Sequence, residues 1–318
     1  MSPRGPTGVQ LAAVGKHLAL VLFGFVAALL LIELGLRAAG AIVRSAGRRD
    51  GATVEAGDRV VLCVGDSHTY GAPLPREDSY PSQLQERLAQ LDPDGRWRVI
   101  NRGIPGMNSA QVAAALEGWI LHDRPGFVVV WVGANNWWNR EDPAGLHAAR
   151  DRSVWRALLD GSRAYRLYLT FTAQGSFSDW DAAASEVVER SNRWLYGEPV
   201  PGKERYVNTV RDLSGIAAIL AKHGLPWLLV TYPQPEYRWQ RSAAELVAQQ
   251  AHVGMLHTAD DLARALRDHP EAELGCPWPV PEGHTCLMVD AMGPHPTRLL
   301  YGYVAESIAN ALVAAAPR

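Results

Sequence analysis

The chain has 318 residues, 47% of them hydrophobic and 20% charged, enough apolar side chain for a sizeable core in one large domain or two small ones. A formal charge of −2, with basic residues scattered rather than striped, excludes the electrostatic footprint of a nucleic-acid binder. Three cysteines without paired spacing exclude a disulfide framework and a zinc site.

The first predicted element is a membrane helix. Leu18 to Ile32 carry no charged or polar side chain, and extension to Ala39 gives the roughly twenty residues that a bilayer crossing needs. Glu33 and Arg37 near its end share a helical face and can pair. Residues 1–17 then form an N-terminal tail, 18–39 the transmembrane anchor and 40–58 a linker. Two rivals stay open. One is a signal peptide cleaved at Ala39-Gly40-Ala41, against which the nearby charges count. The other is a core helix, against which the polar stretch from Ser45 to Asp58 counts. More arginines follow the segment than precede it, so the positive-inside count does not favour an exported C-terminal domain.

Beyond the linker, short β-branched runs alternate with helical patterns, which predicts an α/β domain with a parallel sheet over 59–318. Strands are expected at Arg59–Val64, Trp97–Ile100, Phe127–Val132, Trp227–Thr231 and Val253–Leu256. Between them, helical spacing links Leu84, Leu88 and Leu91, then Val112, Leu116, Trp119 and Ile120. It links Val210, Leu213, Ala217 and Leu220 in the next helix, and Leu300, Val304, Ile308 and Leu312 in the last. Ser109 is expected to cap the second of these, with Asn108 merely preceding the cap. A long insertion, about 139–204, separates the third and fourth strands and reads as a lid or a helical excursion.

The chemistry-bearing text begins at Val64-Gly-Asp-Ser-His-Thr-Tyr-Gly71, at the C-terminal end of the first strand, where parallel sheets bind ligands. Alone it is a weak signal. Three further stations follow in order: Asn101-Arg-Gly-Ile-Pro-Gly-Met-Asn-Ser109, Gly133-Ala-Asn-Asn136, and Asp290 with His295-Pro-Thr297. With all four in this order the chain resembles the SGNH/GDSL hydrolase family over about Val60 to Leu312. The anchor ending in Glu33 and Arg37, together with Glu77-Asp-Ser-Tyr-Pro81 and Gly133-Ala-Asn-Asn-Trp-Trp138, is similar to a membrane-anchored bacterial subgroup.

The resemblance implies a flavodoxin-like three-layer α/β/α sandwich and a serine hydrolase. It needs no cofactor and no metal, and the domain is generally exported, on the extracytoplasmic side of the cell membrane. Ser67 would be the nucleophile, His295 its base and Asp290 the carboxylate orienting the imidazole. The oxyanion donors would be the Ser67 N–H, the Gly103 N–H and the Asn135 side-chain amide. The family usually separates Asp and His by two residues, whereas Ala291-Met-Gly-Pro294 places four between them here, with Gly293 and Pro294 able to turn the chain back.

Other polar residues receive quieter assignments. Asp66 reads as a structural turn residue, and His68 as a neighbour whose side chain points away from the nucleophile. Trp131 is expected in the core, while Trp137 and Trp138 are candidates for a sugar platform. His122, His223 and His284 read as surface or loop residues. Cys63 reads as a small buried hydrophobe; Cys276 and Cys286 are equally readable as a disulfide or as two thiols. The expected activity is hydrolysis of an O-acyl ester on a small molecule or glycan through an acyl-enzyme. An O-acyltransferase using the same residues and a non-catalytic binding protein on the same fold stand beside it.

Overall fold

The computed structural model describes residues 8–47, 54–137, 139, 142–143, 162–165, 202–234, 237–270, 285–288 and 295–315. Among them five parallel strands form one sheet in the order β2-β1-β3-β4-β5: β1 Arg59–Gly65, β2 Trp97–Gly103, β3 Phe127–Trp131, β4 Trp227–Thr231 and β5 Gly254–His257. This is the flavodoxin-like doubly wound order, whose direction of winding reverses between β1 and β3. All five expected strands are present.

Burial follows from strand position. The three central strands are apolar because both of their faces are covered: β4 is buried throughout, β1 everywhere but Arg59, and β3 everywhere but Phe127. The edge strands β2 and β5 are only half-covered. Alternation along the strands sorts side chains into two layers. Leu62, Val64, Val128, Val130 and Leu229 face α4 (Ser109–Asp123), α5 (Gly202–Lys222) and α6 (Arg238–Ala251), meeting Leu116, Leu213, Leu220 and Val247. Val61, Cys63, Val129, Trp131 and Val230 face α3 (Tyr80–Leu91) and α8 (Arg298–Ala315), meeting Leu84, Leu88, Val304 and Ile308. A short α7 (Thr258–Asp268) leans on α8 through Ala265 and Leu300.

The helical stripes fall where their spacing placed them, apart from Leu91, which ends α3 and is exposed. Cys63 is a free, buried thiol, pushed up to about 12 by the loss of solvent. Cys286 is disulfide-bonded. Cys276 lies outside the described residues, as do Trp138, His284, Asp290 and most of the expected insertion.

Ahead of the sheet, α1 runs from Gly8 to Gly47. The helix therefore continues through the first part of the stretch expected to be a linker, because Ala41-Ile-Val-Arg44 holds no helix breaker. Its segment Ala19–Gly40, 22 residues with a mean hydropathy of 2.6 and none of it buried, is long and apolar enough to cross a membrane. Near its end, the Glu33 carboxylate accepts from Arg37 Nε at 2.7 Å, Ala164 N at 2.9 Å and Ser162 Oγ at 3.2 Å. Arg163 donates to the Leu36 carbonyl at 2.9 Å.

Candidate active site

Two loops meet at the C-terminal edge of the sheet, one after β1 and one after β3, which is the crevice where winding reverses. The first is a tight strand-to-helix turn. Gly65 must be glycine, because a Cβ there would lie 2.0 Å from the Trp131 carbonyl oxygen and 2.2 Å from Thr69 Oγ1. Asp66 caps α2 (Ser67–Tyr70) by accepting from the His68 N–H at 3.0 Å. Its other oxygen accepts from Tyr232 Oη at 2.5 Å. Burial and the adjacent Asp66 charge push the Tyr232 phenol well above its usual pKa, so it stays a donor. Gly71, at φ +93, closes the single turn by donating to the Ser67 carbonyl at 2.9 Å.

Ser67 heads this turn, half-buried, with its N–H among the helix-start donors that lack an intrahelical carbonyl. Its Oγ lies 2.9 Å from His295 Nε2. The two residues are 228 apart in sequence. His295 stands just before α8, in a short irregular stretch held by the Thr297 N–H donating to Leu287 O at 2.9 Å. With its proton on Nδ1, the imidazole can accept from the serine hydroxyl. Asp290, expected to orient that proton, lies outside the described residues.

The second loop begins at Gly133 (φ +131) and forms a turn of 3-10 helix, Ala134–Trp137. The Ala134 N–H donates to Tyr232 Oη at 3.1 Å, which ties this loop to Asp66. Asn135 Nδ2 donates to the Met107 carbonyl at 2.9 Å. Asn136 anchors the turn from below: it accepts from Ser109 N at 3.0 Å and donates to Ser109 Oγ and Thr209 Oγ1, each at 2.7 Å. Ser109 Oγ in turn donates to buried Asp212. Of Trp137 only the backbone is described, whereas Trp131 is fully buried beneath the site.

Gly103 requires a correction. Its N–H, expected at the oxyanion, donates to Asn101 Oδ1 at 2.8 Å. Glycine is needed there because a Cβ would meet Tyr70 N at 2.2 Å, so the close approach is to α2 rather than to substrate. Asn108 is also more than a residue before the cap. It is the N-cap of α4, accepting from Gln111 N while Gln111 Oε1 accepts from Asn108 N, a complete capping box. Its spacing from Gln111 is legible in the sequence as the N-terminal signature of a helix. His122, bonded to Asp123 at 2.8 Å, and His223, 3.3 Å from Glu117, make ordinary peripheral pairs.

A serine in reach of an imidazole, next to a loop presenting a carboxamide, is the equipment of acyl transfer. A model of the GDSL-like lipase/acylhydrolase family matches residues 63–276. The chain belongs to that family. Its members are ester-hydrolysing serine hydrolases, and here the β1 turn and the residue before α8 bring Ser67 Oγ and His295 Nε2 within 2.9 Å of each other. The esterase TesA of Pseudomonas aeruginosa is 30% identical over 111 residues, 35% of this chain and 54% of the relative, so the chain spans about half the length of that curated relative. Among solved structures, the acetyl xylan esterase AlAXEase is 16% identical with a TM-score of 0.48, covering 80% of this chain and 99% of its own. A catalytic mutant of the acetylxylan esterase Axe2 from Geobacillus stearothermophilus is 14% identical with a TM-score of 0.44, covering 79% and 93%.

Proposed function

We propose that this protein is a single-pass membrane-anchored esterase that cleaves an O-acyl ester through an acyl-enzyme on Ser67. The observation that carries the reading is the 2.9 Å approach of His295 Nε2 to Ser67 Oγ. In the first half-reaction the hydroxyl attacks the ester carbonyl while its proton passes to His295 Nε2. The tetrahedral intermediate collapses, and the departing alkoxide takes that proton. Water, deprotonated by the same imidazole, then releases the acid and restores Ser67.

The oxyanion is received by the Ser67 N–H and the Asn135 carboxamide. With the Gly103 N–H engaged by Asn101, the third donor falls to the Gly106 N–H. Gly106 has φ +80 in the turn between Ile104, whose N–H bonds Gly65 O at 3.0 Å, and Met107, whose carbonyl holds Asn135. Asp290 remains the proposed orienting carboxylate, and Trp137 and Trp138 the proposed platform for a sugar ring.

Support for an extracytoplasmic domain comes from the disulfide at Cys286, taken together with the membrane-length segment of α1, since structural disulfides persist in oxidising compartments. The substrate class, an acyl group on a carbohydrate hydroxyl, rests on the two acetylxylan esterases named above by analogy alone. The decisive experiment is active-site labelling. A fluorophosphonate should label the folded wild type, and Ser67→Ala should take no label and lose roughly 10⁴-fold or more in p-nitrophenyl acetate turnover. Equal labelling of the variant sinks the proposal. Acetylated xylo-oligosaccharides against short acyl thioesters would then decide the substrate class.

A further inference from the structure

The reaction above leaves one buried imidazole without a task. His68 is 2% exposed, and among the described residues neither ring nitrogen has a hydrogen-bond partner. Asp66 Oδ1 lies 3.4 Å from Nδ1 without forming a hydrogen bond to it. Burying polar atoms without hydrogen bonds costs about 1–3 kcal/mol each, and a phenylalanine would avoid that cost. Such a local cost is commonly kept where a site needs the group.

His68 has a well-defined place. Its ring makes an edge contact with Tyr232 (centroids 4.8 Å, 85°) and a tilted contact with Trp131 (5.5 Å). Against the His295 ring it stacks at 4.8 Å and 29°. Trp131 and Tyr232 are themselves fully buried, and α2 is pinned by the Asp66 cap and Gly71. The His68 ring is therefore a rigid wall with one working face, and that face is turned to the base.

A histidine needs such a wall because its χ2 torsion joins sp³ to sp² carbon and is broad, so rotamer preference alone does not fix the ring plane. His295 lies ahead of α8 rather than inside a helix or strand, so the backbone gives its ring little guidance.

We propose that His68 is a positioning residue for His295, its stacked ring setting the plane in which Nε2 meets Ser67 Oγ. The proposal rests on the reading of Ser67 and His295 as nucleophile and base. His68 takes no proton from the nucleophile, since its buried ring makes no hydrogen bond to Ser67.

The test compares the wild type with His68→Phe, His68→Leu and His68→Ala, each shown to be folded by near-ultraviolet circular dichroism. Crystal structures and kcat and KM on p-nitrophenyl acetate are the readouts. Phe preserves a flat face, Leu fills the space without one, and Ala leaves it open. We expect Leu and Ala to lose the Ser67–His295 hydrogen bond and to drop kcat about 10- to 100-fold with KM nearly unchanged, as misplacement by about 1 Å does. Phe should restore both the contact and most of kcat. A folded Leu variant that keeps the wild-type contact and kcat overturns the proposal, and so does a Phe variant as poor as Leu. If Ala does not fold, the Leu and Phe pair decides. A wild type that keeps the contact but takes no fluorophosphonate ends the esterase reading instead, and the crystallographic comparison still judges His68.

Discussion

The two halves of the site are built on opposite principles. On the side of the proposed nucleophile, Ser67 and His295 sit against a packed stack of rings, His68, Trp131 and Tyr232, in which contact and shape fix orientation. On the amide side, Asn135 is carried by a mesh of hydrogen bonds through Asn136, Ser109, Thr209, Asp212, Asn108 and Asn139. The difference teaches where each half is vulnerable. A ring stack tolerates loss of polar atoms but not of a flat face, whereas a polar mesh fails when one partner is removed and the rest are left buried and unpaired. Tyr232 joins the halves, donating to Asp66 while accepting from Ala134.

Three substitutions sharpen the contrast. The largest effect is expected at the tip of the amide side. Asn135→Ala should lower kcat roughly 10²- to 10³-fold, the usual result of deleting one oxyanion donor, with little change in KM and intact folding by calorimetry. An undiminished kcat would remove Asn135 from the oxyanion hole.

Below that tip, Asn136→Ala strips partners from the Ser109 N–H and from the Ser109 and Thr209 hydroxyls. It should cost about 1–3 kcal/mol in urea unfolding. A stability unchanged from wild type would show that the mesh does not carry the loop.

The smallest contrast lies in pH response. At the C-terminal end of α4, away from the site, burial pulls the Asp123 pKa upward, yet hydrogen bonds from Arg102 and His122 outweigh it and hold the carboxyl below its usual value. Its stabilising contribution is present above the unfolded pKa and is lost as pH falls through the lower folded one. On α7, where it packs against α8, burial pushes Asp261 up to about 6 despite Ser307 and Arg264. The sign is reversed there: its contribution is full below the unfolded value near 3.8 and is lost as pH rises through about 6. Urea midpoints of wild type and Asp261→Asn at pH 4, 5 and 7 check this. The variant should lack the decline across that interval, and parallel profiles would refute the assignment.

Much of the fold was legible because central parallel strands are buried on both faces and must read as apolar runs, as Val60–Val64, Phe127–Trp131 and Trp227–Val230 do. The stripes of α4, α5 and α8 were legible for the related reason that one helical face packs on the sheet. The text at Ser67 and His295, after a strand end and before the last helix, was legible as two stations that the structure brings within 2.9 Å of each other. The site was misread at Gly103, since whether a glycine makes room for a ligand or for a neighbouring backbone depends on what crosses it. His68 was read only against its sequence neighbour Ser67, because its spatial neighbour, His295, is hundreds of residues away in the text.

Local rules acting within a few residues were therefore enough to set the strand and helix pattern, the membrane-length apolar run and the turn chemistry around Asp66. Only the folded sheet decided that the Ser67 hydroxyl meets the His295 ring at 2.9 Å, that a second imidazole stacks behind that ring, and that the Gly103 N–H is spent on Asn101. The physical reason is that propensity and periodicity are properties of neighbours along the chain. Stacking, hydrogen-bond commitment and close backbone approach are set by atoms that packing brings together from distant positions.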